Sequence, residues 1–233
     1  MEKESIRQTV WETLDAKGIA RFPFPPHGRI PNVAGAKQAA AHLAKTSEWE
    51  AASILKCNPD APQRPVRKRA LDSGKVVYMA VPRLRETEPF IALDPSEIPE
   101  GTDASTISGA AEWGEPIDID AVEPIDLIVS GSVAVDMTGT RIGKGEGYSD
   151  LEYGLLREIG AISSQTPVAT TVHELQIREA ALPSEVHDVS LHLIATSESV
   201  YRVTEQVEQP DGIDWSLLSE EQIDAMPVLS RVA

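Results

Sequence analysis

The stretch that decides the fold class is Asp126-Leu127-Ile128-Val129-Ser130-Gly131-Ser132-Val133-Ala134-Val135-Asp136, followed by Gly139-Thr140-Arg141-Ile142-Gly143-Lys144-Gly145-Glu146-Gly147-Tyr148-Ser149-Asp150 and then Leu151 to Ile159. The apolar run from Asp126 to Val135 is too short for a core helix and rich in β-branched residues, so it predicts a buried strand. Leu151 to Ile159 has helical character, and Gly160 stands where a helix stops. The pattern is therefore strand, glycine-rich loop, helix.

Working outward, Ser53 to Cys57, Val76 to Val81, Pro167 to Val172 and Val189 to Ala195 read as further strands. Helices are expected from Glu4 to Lys17, with Ile6, Val10, Trp11 and Leu14 on one face and Gly18 at the end, from Ala36 to Ala44, and from Pro62 to Asp72 closed by Gly74. Apolar residues run continuously along the strands rather than alternating, and helices stand between them. That predicts an α/β protein, a three-layer α/β/α sandwich with a mainly parallel sheet. Arg21 to Asn32 is too rich in proline for helix or central strand, and Phe90 to Pro124 reads as irregular with room for an edge hairpin. From Thr204 the chain turns acidic and loses its period, although Trp215, Leu217 and Leu218 could pin part of it to the body. The expected division is a domain over residues 1–203 and an acidic C-terminal extension over 204–233.

The loop carries the chemistry. Alternating Gly143, Gly145 and Gly147 let backbone N–H groups approach an anion, the following helix adds its positive end, and Arg141 and Lys144 add charge. Asp150, just inside the helix, is placed to hold a magnesium ion on a nucleotide. The spacing is neither G-x-x-x-x-G-K-[ST] nor G-x-G-x-x-G, so a tight strand-to-helix turn with Asp150 as a helix-start carboxylate stays open as the alternative.

Asp and Glu number 37 against 21 Lys and Arg, a formal charge of -16. Such a field repels nucleic acid, which is disfavoured as a partner. Acidic residues spread along the whole chain suggest a surface adapted to high salt. No membrane-spanning run or secretory signal is evident, and a soluble, cytoplasmic protein is expected. The one cysteine, Cys57, ends an apolar strand and reads as a small buried hydrophobe. Arg64, Arg67, Lys68 and Arg69 form a dense basic group suited either to an anionic ligand or to pairing with surface acids. Arg83 and Arg85, just past a strand end, extend the first possibility. The five histidines lack metal-site spacing, and His173 and His187 read first as structural.

The loop resembles the G-x-R-[LI]-G-x-G-x-G-Y-x-D element of the 5-formyltetrahydrofolate cyclo-ligases, also called methenyltetrahydrofolate synthetases. Lys3-Glu4-Ser5-Ile6-Arg7 is similar to that family's opening K-x-x-[LI]-R helix, and Gln176 with Leu182 to Asp188 resembles its C-terminal third. Arg29-Ile30-Pro31-Asn32, Lys56-Cys57-Asn58-Pro59-Asp60 and Pro82-Arg83-Leu84-Arg85 look like the divergent branch of methenyltetrahydrofolate synthetase domain-containing proteins and their archaeal relatives. The resemblance spans about residues 1–203. It implies an α/β fold that binds ATP and Mg²⁺ and converts 5-formyltetrahydrofolate to 5,10-methenyltetrahydrofolate. By it, Lys3, Arg7, Arg141, Gly143, Lys144, Gly145, Gly147 and Tyr148 bind the nucleotide, with Arg141 and Lys144 also catalytic and Asp150 holding the metal. Lys144 and Glu146 stand where the authentic enzymes have an aromatic residue and a glycine, Ser149 replaces a second tyrosine, Leu151 an arginine and Ser130 a proline. These departures fall on the folate side, and they point to the alternative of a non-catalytic or altered-substrate relative that binds a nucleotide or phosphorylated metabolite. The partners expected are thus a nucleotide and a folate or related heterocycle.

Overall fold

The computed structural model describes residues 2–204 and 208–232, with the side chain of Arg83 outside the description. In chain order the helices are α1 (Lys3–Ala16), α2 (Ala36–Leu43), α3 (Ser47–Ala51), α4 (Arg64–Asp72), α5 (Ile107–Trp113), α6 (Tyr148–Glu158) and α7 (Glu220–Asp224). The strands are β1 (Ile54–Cys57), β2 (Val76–Ala80), β3 (Phe90–Leu93), β4 (Glu115–Ile117), β5 (Leu127–Val129), β6 (Ala134–Asp136), β7 (Arg141–Ile142), β8 (Val168–Thr171), β9 (Ile177–Arg178), β10 (Leu193–Ala195) and β11 (Val200–Arg202). Eight of them form one sheet in the order β11-β10-β8-β5-β1-β2-β3-β4. Its central pairs, β10 with β8, β8 with β5, β5 with β1 and β1 with β2, are parallel, and the outer pairs are antiparallel.

Both faces of this sheet are apolar because both are covered. Leu55, Cys57, Val77, Met79, Leu127 and Val129 pack with Leu43 of α2 and Val66 and Ala70 of α4 on one face. Tyr78, Ala80, Ile128, Val168 and Ile194 pack with Tyr153, Leu155 and Leu156 of α6 on the other. The strand period of two sends neighbours to opposite cores, which explains the continuous apolar runs. No described helix is long and apolar enough to cross a membrane.

Three sequence expectations are corrected. The run from Asp126 to Val135 is two strands, since the chain leaves the main sheet after Val129 and re-forms as β6 in a small sheet with β7 and β9. The break falls at Gly131, where a Cβ would lie 2.9 Å from Ile30 and whose carbonyl accepts from Arg141 NH1 at 3.1 Å. Phe90 to Pro124 does hold the antiparallel edge pair β3–β4, but also α5, capped by Thr106 Oγ1 accepting from Gly109 N. The strand expected over Val189 to Ala195 is shorter, β10 beginning at Leu193, and a further strand, β11, follows it. α1 packs Ile6, Val10, Trp11 and Leu14 against Val133, Ala134 and Ile142, which fixes the chain's start beside the small sheet.

Residues 208–232 lie on the α6 face. Met226, Val228 and Leu229 are buried in the same core as Tyr153 and Leu156, with Ile213, Trp215 and Leu218 packed against it.

Candidate functional site

From β1 the chain moves outward to β2, and β5, β8 and β10 then build the sheet in the other direction. The reversal lies between β1 and β5, and ligands in open α/β sheets sit beyond the strand carboxyl ends at such a point. Here Asn58 N donates to Val129 O at 3.1 Å, joining the two strand ends. A cavity of about 430 Å³ opens there, lined by Asn58 and Asp60 after β1, Val81 and Pro82 after β2, Gly131 after β5, and the glycine loop.

Lys3, Arg7, Arg141, Gly143, Lys144, Gly145, Gly147, Tyr148 and Asp150 all line this one cavity. The loop starts from β7 and ends at Gly147, whose φ of +75° sets the N-terminus of α6 three residues earlier than the sequence pattern indicates. Gly145, at φ +103°, sits where a Cβ would be 3.2 Å from the Arg7 guanidinium. Arg7 Nε donates to Gly143 O at 2.8 Å, so α1 and the loop are clamped across 136 residues of sequence. The backbone N–H groups of Gly143, Gly145 and Gly147 donate no hydrogen bond among the described residues.

Each cation of the site has a carboxylate beside it. Lys3 Nζ lies 2.6 Å from Asp188 and 3.4 Å from Glu185, Arg7 NH1 is 3.0 Å from Glu4, and Lys144 Nζ is 2.7 Å from Glu146. Arg141 NH2 pairs with Asp150 Oδ1, which also accepts from Val189 N at 3.1 Å. The two residues expected to serve phosphate and metal separately are thus partners of one another. Arg141 is nearly buried, and its Nε finds no partner among the described residues.

Several residues that the sequence reading quoted only for the resemblance, without a role in the site, are brought to it by the fold. Lys56, on the α6 face of β1 between Leu55 and Cys57, is buried and pairs with Glu152 of α6 while donating to Asn58 Oδ1 at 3.1 Å. Asn58 Nδ2 approaches Ser149 Oγ at 3.4 Å. The Asp60 carboxyl is held above the ordinary carboxylate range because burial disfavours its charge, with Lys144 opposing that effect. A lone lysine inside the apolar run Ile54-Leu55-Lys56-Cys57 was the available signal for the buried pair.

The basic group on α4 divides between structural tasks. Arg67 is buried, donating through Nε to Ser105 O at 3.0 Å and through NH1 to Asp60 O at 3.1 Å and to Asn58 O, so it props the loop that carries Asn58 and Asp60. Arg64 pairs with Asp103 at 2.6 Å and Lys68 with Asp72 at 3.0 Å. His173 caps the turn Glu174–Gln176, its Nδ1 accepting from Leu175 N. Cys57 is buried, and burial pushes its thiol up to about 11, which suits a packing residue rather than a nucleophile.

The glycine loop, whose amides have no acceptor among the described residues, and the N-terminus of α6 border the cavity and fit phosphate oxygens; the unpartnered Arg141 Nε is buried behind them. Asp150 retains its Oδ2 without a hydrogen bond among the described residues, which fits a Mg²⁺ held by one carboxylate and phosphates.

The model of the 5-formyltetrahydrofolate cyclo-ligase family matches residues 1–197. The chain is 41% identical over 241 residues to the methenyltetrahydrofolate synthase domain-containing protein of Mus musculus, covering 100% of this chain and 63% of that protein. It is 40% identical over 238 residues to the Bos taurus protein of the same name, covering 98% of this chain and 61% of that one. The chain therefore spans about three-fifths of the length of these relatives. Among solved structures, the 5,10-methenyltetrahydrofolate synthetase of Aquifex aeolicus superposes with a TM-score of 0.56 at 18% identity, covering 89% of this chain and 96% of that one, a likeness of fold. On the family match and on the loop that carries it, this chain belongs to the 5-formyltetrahydrofolate cyclo-ligase family.

Proposed function

We propose that the chain binds ATP with Mg²⁺ at the glycine loop and uses it to close 5-formyltetrahydrofolate to 5,10-methenyltetrahydrofolate. The observation that carries this reading is the convergence of Lys3, Arg7, Arg141 and Lys144 with three glycine amides on a single cavity. Phosphoryl transfer asks the protein mainly for alignment and charge stabilisation. The γ-phosphoryl group would pass to the formyl oxygen, leaving ADP, and attack of the N10 amine on the activated formyl carbon would expel that oxygen as inorganic phosphate. On this reading the amides of Gly143, Gly145 and Gly147 hold phosphate oxygens, and Lys3, Arg7, Arg141 and Lys144 neutralise them. Asp150 Oδ2 holds the metal, while Oδ1 stays with Arg141 and keeps the loop in register with α6.

The Lys144–Glu146 pair favours a second reading, in which the cradle is kept and the substrate differs. A carboxylate beside a transferring phosphoryl group is unfavourable unless a cation neutralises it, and Lys144 does so only by giving up part of its own field. Methenyltetrahydrofolate absorbance, followed with purified chain, 5-formyltetrahydrofolate, ATP and Mg²⁺, separates the two. Turnover that needs ATP and is lost in Asp150→Ala supports the cyclo-ligase; ATP binding without turnover supports the altered substrate, and absence of both removes the nucleotide reading.

A further inference from the structure

A second cavity, of about 260 Å³, opens beside the glycine loop. Glu146, Gly147, Tyr148, Asp150 and His187 border both cavities, so the two are compartments of one cleft. Their chemistry differs. The first carries Lys3, Arg7, Arg141, Lys144 and the glycine loop, whereas the second, with Arg85 at its border, is lined by Tyr148 and Leu151 on α6 and by Ile213, Leu217, Leu218 and Met226 of the C-terminal segment. That segment lies beyond residues 1–197, which the family model matches.

The wall is built rather than loosely laid down. Met226 is 5% exposed and the following Val228 and Leu229 are fully buried. Ile213 N donates to Glu158 Oε1 at 3.1 Å, and Ser219 and Gln222 cap α7 reciprocally. Arg231 NH2 lies 2.8 Å from Asp118 Oδ1 and 2.9 Å from Asp120 Oδ2, tying the end of the segment to the turn after the edge strand β4. Leu217 is 53% exposed and presents apolar surface at the cavity. At the rim, Gln222 uses its Oε1 for Ser219 N, and Asp214 uses its Oδ1 for Ser216, which leaves an amide donor and a carboxylate oxygen for a ligand edge.

We propose that the C-terminal segment, residues 212–226, forms a binding compartment for a planar heteroaromatic ring of a ligand whose reacting end lies at the glycine loop. Apolar walls with a tyrosine and a thioether suit the ring faces, and the polar rim suits its nitrogen-bearing edge. The inference rests on the loop being a phosphate cradle. Such a ring comes either from the base of the nucleotide or from the bicyclic part of the folate.

The test uses the full chain and two variants at exposed lining positions, Leu217→Asp, which puts charge into the compartment, and Ala225→Trp, which fills it. Calorimetric titrations are run with ATP, inorganic tripolyphosphate and 5-formyltetrahydrofolate, and thermal unfolding checks that each variant is folded. Tripolyphosphate affinity should hold in both variants while one ring-bearing ligand weakens by about tenfold, the scale of losing one well-buried apolar contact. Weakened ATP assigns the compartment to the base, and weakened folate assigns it to the folate ring. Unchanged affinity for both ligands in both variants overturns the inference and leaves the cradle standing. A wild-type chain that binds neither tripolyphosphate nor ATP removes the cradle, and this inference with it.

Discussion

Lys56 is the residue whose position says most about how the site is held. It projects from a strand whose register partners on the same face are Ile128 and Tyr78, and it meets Glu152 of α6 in an environment with almost no water. The ammonium also reaches Asn58, which in turn approaches Ser149 at the start of α6. One buried charge thus connects the end of β1 to the helix that carries the glycine loop. Breaking a buried pair leaves an uncompensated charge, which costs about 3–5 kcal/mol, whereas replacing both partners with apolar groups of similar size is often close to neutral. Lys56→Met should therefore lower the unfolding free energy by about 3 kcal/mol, and adding Glu152→Leu should recover most of it. Urea denaturation of the two singles and the double measures this. Equal losses that simply add would show that the two charges do not depend on one another. The glycine loop was legible in the sequence because positive φ at Gly145 and Gly147 is a local demand. The Lys56–Glu152 pair was not, since its partners are 96 residues apart and only the fold joins them.

Among the elements, α6 shows both what pattern reading recovers and where it stops. Its apolar face and its stop at Gly160 are evident in the sequence, yet its start is set by the left-handed Gly147, which a reading of the apolar period places too late. Gly154, in the middle of the helix, gives no sign of its purpose until the C-terminal segment is seen against it. A Cβ at that position would lie 3.0 Å from Gly212 O and 3.0 Å from Ile213 Cγ1. The segment itself is poorly patterned because it holds the sheet face through short turns and a single-turn helix rather than through a period. Trp215 and Leu218 were visible as anchors, whereas Leu217, expected with them, is exposed; the more deeply buried Met226, Val228 and Leu229 flank a proline and look like a tail. In an open helix position, Gly→Ala stabilises by roughly 0.5–1 kcal/mol. Gly154→Ala should instead lower the melting temperature, because the added methyl meets backbone that can yield only by lifting residues 212–213 off the helix. A raised melting temperature in thermal unfolding would show that the segment gives way without cost.

At the scale of the whole molecule the question is what a formal charge of -16 does to a chain whose site must receive an anion. Locally the cations are spoken for: Lys3 by Asp188, Arg7 by Glu4, Arg141 by Asp150 and Lys144 by Glu146. Carboxylates outnumber the Lys and Arg side chains by 16, and the excess repels itself over distances comparable to the Debye length. That length falls from about 10 Å at 0.1 M salt to about 3 Å at 1 M, so added salt suppresses long-range repulsion far more than it weakens a buried pair in contact. Two exposed anchors of the C-terminal segment work against the trend, since Arg231 with Asp118 and Arg157 with Asp211 lie where salt screens attraction as well. Exposed pairs contribute about 0–1 kcal/mol each, less than the summed repulsion of a strongly acidic surface. The melting temperature should therefore rise steadily as KCl is raised from about 0.1 M to about 1 M, as the screening length falls to the spacing of neighbouring surface charges. Scanning calorimetry along that series is the measurement. A flat profile would mean that local pairing already offsets the acidity, and a falling one would mean that the exposed anchors, rather than the repulsion, limit the stability of the fold.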